Sequence, residues 1–174
     1  MSEIISLYSI GDWIVHHSYG IGQIKKIEEK RIREEPELCF QVETKAGAHW
    51  WFPRTTAANP RIRPLSSKKL LHRSQIELQK PFIELDPDNS LWRQRLAEVR
   101  ANDDLIAISQ LVRDLTILRT QRRLNHAEGD SLRHFKARLV SEWAAIMKID
   151  IETIQTKLEQ FLEVYSEKEN IHSG

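Results

Sequence analysis

The stretch Gly11–Glu29 reads Gly-Asp-Trp-Ile-Val-His-His-Ser-Tyr-Gly-Ile-Gly-Gln-Ile-Lys-Lys-Ile-Glu-Glu, and it decides how the first part of the chain folds. Gly11-Asp12 forms a turn that launches a strand. Trp13, Ile14 and Val15 bring the aromatic and β-branched side chains that suit a pleated, half-buried surface. His16 to Gly20 make a tight loop. Gly20 and Gly22 bracket Ile21, and glycines so placed permit a positive φ or a close backbone approach. Ile24 and Ile27 resume the apolar pattern. The stretch predicts strand, loop, strand, the opening of a small antiparallel sheet or barrel.

The chain on either side agrees. Ile4, Ile5 and Leu7 in the lead-in can add a strand or pack on the sheet. Arg31–Glu37 is charged, contains Pro36 and suggests a hairpin tip. Leu38–Thr44 is a strand, Lys45–Ala48 a turn, and His49–Phe52 an aromatic strand stopped by Pro53. Asn59-Pro60 marks a turn before a last short strand at Ile62–Leu65. Trp50 and Trp51 are adjacent in a strand, so one must face away from the core. The pattern changes at Ser66. Ser66 or Ser67 caps a helix to about Gln79, and Phe82–Asn89 reads as an ordered linker. Helices capped by Asn89 or Ser90, by Asn102 or Asp103, by Asn125 and by Asp150 then follow, with apolar residues at three- and four-residue spacing. The expected fold is α+β in two domains: a small β-barrel over 1–65 and an all-α helical bundle over 66–174.

The 174 residues carry a net charge of +1, so the chain as a whole is not an electrostatic nucleic-acid binder. Its charge is unevenly spread. Leu91–Leu124 holds seven arginines against four acids, whereas Ile149–Gly174, an acidic tail, holds two lysines against six acids. The single cysteine, Cys39, has no internal disulfide partner and no thiolate companions for a metal, which fits a reducing cytoplasm. No long apolar run suggests a signal peptide or a membrane span. His16-His17 lacks a third ligand at metal spacing, and Gly20-Ile21-Gly22 lacks the strand-then-helix setting of a phosphate loop. No catalytic residues, metal or cofactor are expected, and the chain does not read as an enzyme.

Gly11, Asp12, Val15, His16, Gly20, Gly22, Ile24, Ile27 and Glu28 match the opening pattern of the CarD/CdnL/TRCF family, which this sequence resembles. The resemblance continues through Trp92, Arg93 and Arg95 and through Leu111–Leu115 (Leu-Val-Arg-Asp-Leu), with a looser match at Leu124, Asn125 and Glu128. It departs at His17, Tyr19 and Gly129, where the family often has proline, histidine and a basic residue. It implies a Tudor-like (SH3-like) barrel that binds the β subunit of bacterial RNA polymerase. Here that surface corresponds to Lys30, Arg31, Ile32 and Arg33 with Trp51 on the facing strand. It also implies a helical domain close to promoter DNA, contacting it without sequence preference at the upstream edge of the transcription bubble and so stabilising the open complex. The residues implied are Trp92 as an apolar wedge, with Arg93, Arg95, Arg119, Arg122 and Arg123 on phosphates. A cytoplasmic monomer is expected.

Each of these residues has a plainer use. Leu91, Leu96 and Val99 can take Trp92 into the bundle core, exposed arginines commonly solvate a helix face, and Arg113-Asp114 suits an internal ion pair. A protein-interaction adaptor whose bundle binds no DNA is therefore the alternative, favoured by Gly129, the acidic tail and the near-zero net charge. An RNA-binding barrel, suggested by Trp13, Trp50 and Trp51, lacks the basic aromatic platform that single strands need.

Overall fold

The computed structural model describes residues 6–32, 34–54, 59–82 and 89–172, the side chains of 89–90 and 164–172 excepted. The chain forms two compact units, Met1–Leu65 and Ser66–Gly174.

The first unit is a five-stranded antiparallel sheet. Its strands are β1 (Trp13–His16), β2 (Gly20–Arg31), β3 (Pro36–Thr44), β4 (His49–Pro53) and β5 (Ile62–Pro64), in the order β4-β3-β2-β1-β5. Gly20 turns β1 into β2 at φ +75°, a backbone that L side chains resist. A bulge between Ile24 and Lys26 shifts the register of β2 against β3. One face packs Ile14, Ile24, Phe40, Val42, Trp50, Phe52 and Ile62, with Tyr8 and Ile27 against them. From the lead-in, Tyr8 meets Phe52 edge-on at 6.0 Å, while Ile4 and Ile5 lie outside the described residues.

The expected barrel is not closed: among the described residues nothing pairs β4 with β5. The ladder gives a reason. His17 donates to Arg61 and Leu65 to Trp13, so Arg63 shares its bonds with β1, and Ile62 and Pro64 face the outer edge. The Ile62 N–H is already given to the Asn59 carbonyl, at 3.0 Å, and Pro64 has none. The outer edge of β5 therefore has no donor left for another strand.

Gly22 is required for close approach. A Cβ there would lie 2.4 Å from Val42 Cγ1 and 3.1 Å from the Glu43 carbonyl oxygen. Gly22→Ala is expected to destabilise the sheet by about 1–3 kcal/mol, as overpacking does. Denaturant unfolding followed by tryptophan fluorescence tests this, and an unchanged midpoint would refute it.

The second unit contains α1 (Lys68–Leu78), α2 (Asn89–Asn102), α3 (Leu105–Gln121), α4 (His126–Met147) and α5 (Ile151–His172). Helix α3 is central, with Leu105, Ile108, Leu111, Val112 and Leu115 almost wholly buried. Residues 83–88 of the expected linker lie outside the described residues. Ser67 caps α1, and Asn125 and Glu128 form a reciprocal capping box on α4. Asp150 caps α5 by accepting the Thr153 N–H. The cap of α3 is Asp104, not Asn102 or Asp103. Asp103 instead takes φ +46° and accepts two hydrogen bonds from Arg138, which ties the α2–α3 corner to α4. Among the described residues no helix is long and apolar enough to cross a membrane.

Candidate interaction surfaces

Alternation along β4 buries Trp50 and turns Trp51 outward, the latter 36% exposed. On that outer face the structure brings Trp51 and Lys30 together: the Lys30 ammonium lies 4.3 Å from the Trp51 ring centroid. Glu28 joins them. Its carboxylate accepts the Trp51 indole N–H at 2.6 Å and pairs with Lys26 at 2.7 Å and Lys30 at 3.6 Å. Hydrogen bonds from Lys26 and then Trp51 hold the Glu28 carboxyl down at about 2, so it stays charged at any physiological pH. The indole is thus fixed by one carboxylate and overlaid by one cation. Sequence reasoning matched Glu28 to the family pattern but gave it no place on this surface, yet the alternation Lys26, Glu28, Lys30 along one strand face was there to be seen.

The backbone beside Trp51 is also available. Thr44 donates to Ala48 and Arg54 to Leu38, so the even-numbered residues of β4 bond to β3. His49 and Trp51 then aim their N–H and C=O groups at the outer edge, where no strand lies among the described residues. Past the end of β4 the β2–β3 hairpin carries Arg31, exposed, with Ile32 and Leu38, each about half exposed. Arg33 lies outside the described residues. At the other end of β1 the Nδ1 of His16 accepts the Ser18 and Tyr19 N–H groups at 3.0 and 3.1 Å, and its ring stacks on Tyr19. His16 orders the loop. Among the described residues no three His, Cys, Asp or Glu side chains are placed to hold a metal ion.

The helical unit treats the sequence-selected residues differently. Trp92 is 5% exposed, buried with Leu96 and Val99, the core arrangement rather than an outward wedge. Arg95 lies 5.4 Å from the Trp92 ring and is bound at 2.6 Å to Asp114, which is 1% exposed. Asp114 also accepts from Arg113 at 2.6 Å, and Arg113 reaches the Glu77 carbonyl. Burial pushes the Glu77 carboxyl up, but hydrogen bonds from Lys80 and Gln110 outweigh it and the group stays below the ordinary range. Arg122 is spent on Glu128, donating to both of its oxygens at 2.8 and 2.9 Å. That bond is the main reason the Glu128 carboxyl lies below its usual range.

Arg95 and Arg122 therefore hold buried carboxylates, Arg122 from an exposed position, and Arg93, Arg119 and Arg123 are exposed as well. Arg123 lines a polar cleft with His126, Gly129, Asp130 and Arg133 at the start of α4. Nothing within 4 Å would meet a side chain at Gly129. Of the six candidate DNA residues, Trp92 is buried, and Arg95 and Arg122 hold buried carboxylates.

A sheet edge with unpaired backbone groups beside an anchored tryptophan is thus followed, in the second unit, by helices with exposed cations. Residues 8–66 match the CarD-like/TRCF RID domain, and residues 84–159 match the CarD C-terminal domain, in that order. The chain belongs to the CarD-like family. It is 27% identical over 162 residues to a Bacillus subtilis (strain 168) protein named "Putative transcription factor YdeB", covering 86% of this chain and 99% of that one. This is a transcription-related regulator.

Proposed function

We propose that the first unit, read as a Tudor-like module, docks on the β subunit of bacterial RNA polymerase by giving β4 a further strand. The observation that carries this reading is the contrast between the two sheet edges. The β5 edge has no free donor, whereas β4 presents the N–H groups of His49 and Trp51 next to the Trp51–Glu28–Lys30 cluster. Main-chain bonds supply affinity in such an addition, and an aromatic side chain held in place beside them supplies selectivity. The helical unit then meets promoter DNA at the upstream bubble edge and favours the open complex by binding it better than the closed one. Trp92 would have to leave its buried position to act as a wedge, so the exposed Arg93, Arg119 and Arg123 would contact phosphates in its place. The protein acts as a cytoplasmic monomer and catalyses nothing.

The test is binding of the full chain to RNA polymerase core. Trp51→Ala is expected to weaken it about tenfold or more, as loss of an interface anchor does, and Glu28→Gln by less. Equal affinity of Trp51→Ala and wild type would remove the β4 edge from the interface. The second reading, an adaptor whose bundle touches no DNA, is favoured by the burial of Trp92 and the internal pairing of Arg95 and Arg122. Promoter melting that rises with the wild-type chain and is unchanged by Arg93→Gln/Arg119→Gln/Arg123→Gln would favour it.

A further inference from the structure

The loop between β1 and β2 is held by one side chain. His16 is 8% exposed, and its Nδ1 accepts the N–H groups of both Ser18 and Tyr19. Among the described residues these two N–H groups have no other acceptor. His17 gives its N–H to the Arg61 carbonyl at 2.8 Å, and Gly20 enters β2 at φ +75°. Both ends of the loop are thus fixed, and Ser18-Tyr19 is the part that can move. The Tyr19 ring is 62% exposed, stacks on His16 at 4.5 Å and lies 5.6 Å from Trp50 of β4. His16 meets Trp50 edge-on at 4.9 Å.

These bonds fix the proton count of the imidazole. A neutral imidazole has one bare nitrogen and one N–H, and the bare nitrogen here is Nδ1. The opposite ring orientation would set a C–H against both backbone donors. A second proton has only Nδ1 to go to, where it would face two N–H groups, and burial adds to the cost of the charge. The closed loop therefore excludes the imidazolium. The charged and titratable groups on the surrounding elements are His17 and Tyr19 of the loop, His49 beside Trp50, and Arg61 and Arg63 flanking Ile62, the β5 partner of His16. Trp50 adds a second instability. Its indole N–H is buried without an acceptor among the described residues, and a donor so placed gains when water reaches it.

We infer that His16, Tyr19 and Trp50 form an acid-sensitive switch: neutral His16 holds the β1–β2 loop shut against β4, and its protonation releases Tyr19 and frees Trp50. Trp50 lies between His49 and Trp51, whose backbone groups form the open edge, so release of the loop also loosens that edge. Above about pH 6.5, the ordinary imidazole value, His16 is neutral whether the loop is closed or open. Below it the open loop binds a proton that the closed loop refuses, and opening gains up to about tenfold per pH unit. The effect on polymerase binding rests on the docking reading, whereas the loop transition does not.

The test is fluorine NMR of the full chain labelled with fluorotyrosine, the Tyr19 signal being assigned by Tyr19→Phe. That signal is expected to move from a closed to an open position below about pH 6.5, while the amide signals of β2 and β3 stay native. His17→Gln keeps the transition. His16→Gln, which offers an acceptor oxygen but gains no proton, and His16→Ala, which offers neither, both remove the pH dependence, whichever position the signal takes. A Tyr19 signal that stays put in the wild type, a transition that persists in His16→Gln, or one that coincides with loss of the β2 and β3 amide signals would overturn the inference. Binding to polymerase core at about pH 7.5 and about pH 5.5 reads the consequence, and the wild type is expected to lose more affinity than His16→Gln. Equal losses beside a loop transition would overturn its link to the β4 edge. No polymerase binding at either pH would sink the docking reading and leave the loop transition, which the free chain displays by itself.

Discussion

Asp114→Ala should cost the helical unit about 3–5 kcal/mol, the usual penalty for removing one partner of a buried ion pair. Asp114 is 1% exposed and Arg113 3%, and both Arg95 and Arg113 reach the carboxylate at 2.6 Å. Without it, a buried guanidinium loses its counter-charge and Arg95 loses the anchor that holds it beside Trp92. The loss is a desolvation penalty, not a measure of attraction, because the dielectric inside the bundle offers no substitute for the missing oxygens. Replacing the whole set, as Arg95→Met/Arg113→Met/Asp114→Leu, is therefore expected to recover most of it. Far-ultraviolet circular dichroism in urea reads this unit selectively, since every helix among the described residues lies in it. A cost below about 1 kcal/mol would mean that water reaches the site.

Trp143→Ala is the second large effect, again about 3–5 kcal/mol. Trp143 is fully buried on α4, meets Phe161 of α5 edge-on at 5.9 Å and donates its indole N–H to Ser74 of α1 at 3.3 Å. One side chain thus joins three helices, and the cavity left by its removal cannot be filled by any one of them moving. Ser74 would keep its 2.6 Å bond to Ser109, so the polar cost is small and the void dominates. Trp143→Phe keeps much of the volume and should lose no more than about half as much. Equal losses for the two variants would point to the hydrogen bond instead.

The parts of this architecture that depend on near neighbours were legible in the sequence. The turn at Gly20, the caps at Asn125 and Asp150, the Arg113–Asp114 pair and the opposite facing of Trp50 and Trp51 each follow from residues a few positions apart. What depends on distant partners was not. Arg95 looks like a surface cation until Asp114, nineteen residues later, takes it up, and Trp92 sits equally well on a helix surface or beneath Leu96 and Val99. Arg122 had its partner six residues on, but a capping box that also recruits an arginine is not written in the Asn-x-x-Glu pattern. Barrel closure rested on strand count, and counting does not reveal that Pro64 and the bond from Ile62 to Asn59 leave β5 without donors. Among the candidate site residues, Lys30 and Trp51 were brought together, whereas the DNA set was divided between surface and core.

The unequal edges of the sheet also bear on how the protein avoids fibrils. Open strand edges template cross-β stacking, and endless stacking needs two of them, one for each neighbour. With the β5 side closed to further pairing, two copies of this chain can meet through β4 and go no further. Self-association by this route stops at a pair, and a partner that covers β4 removes even that.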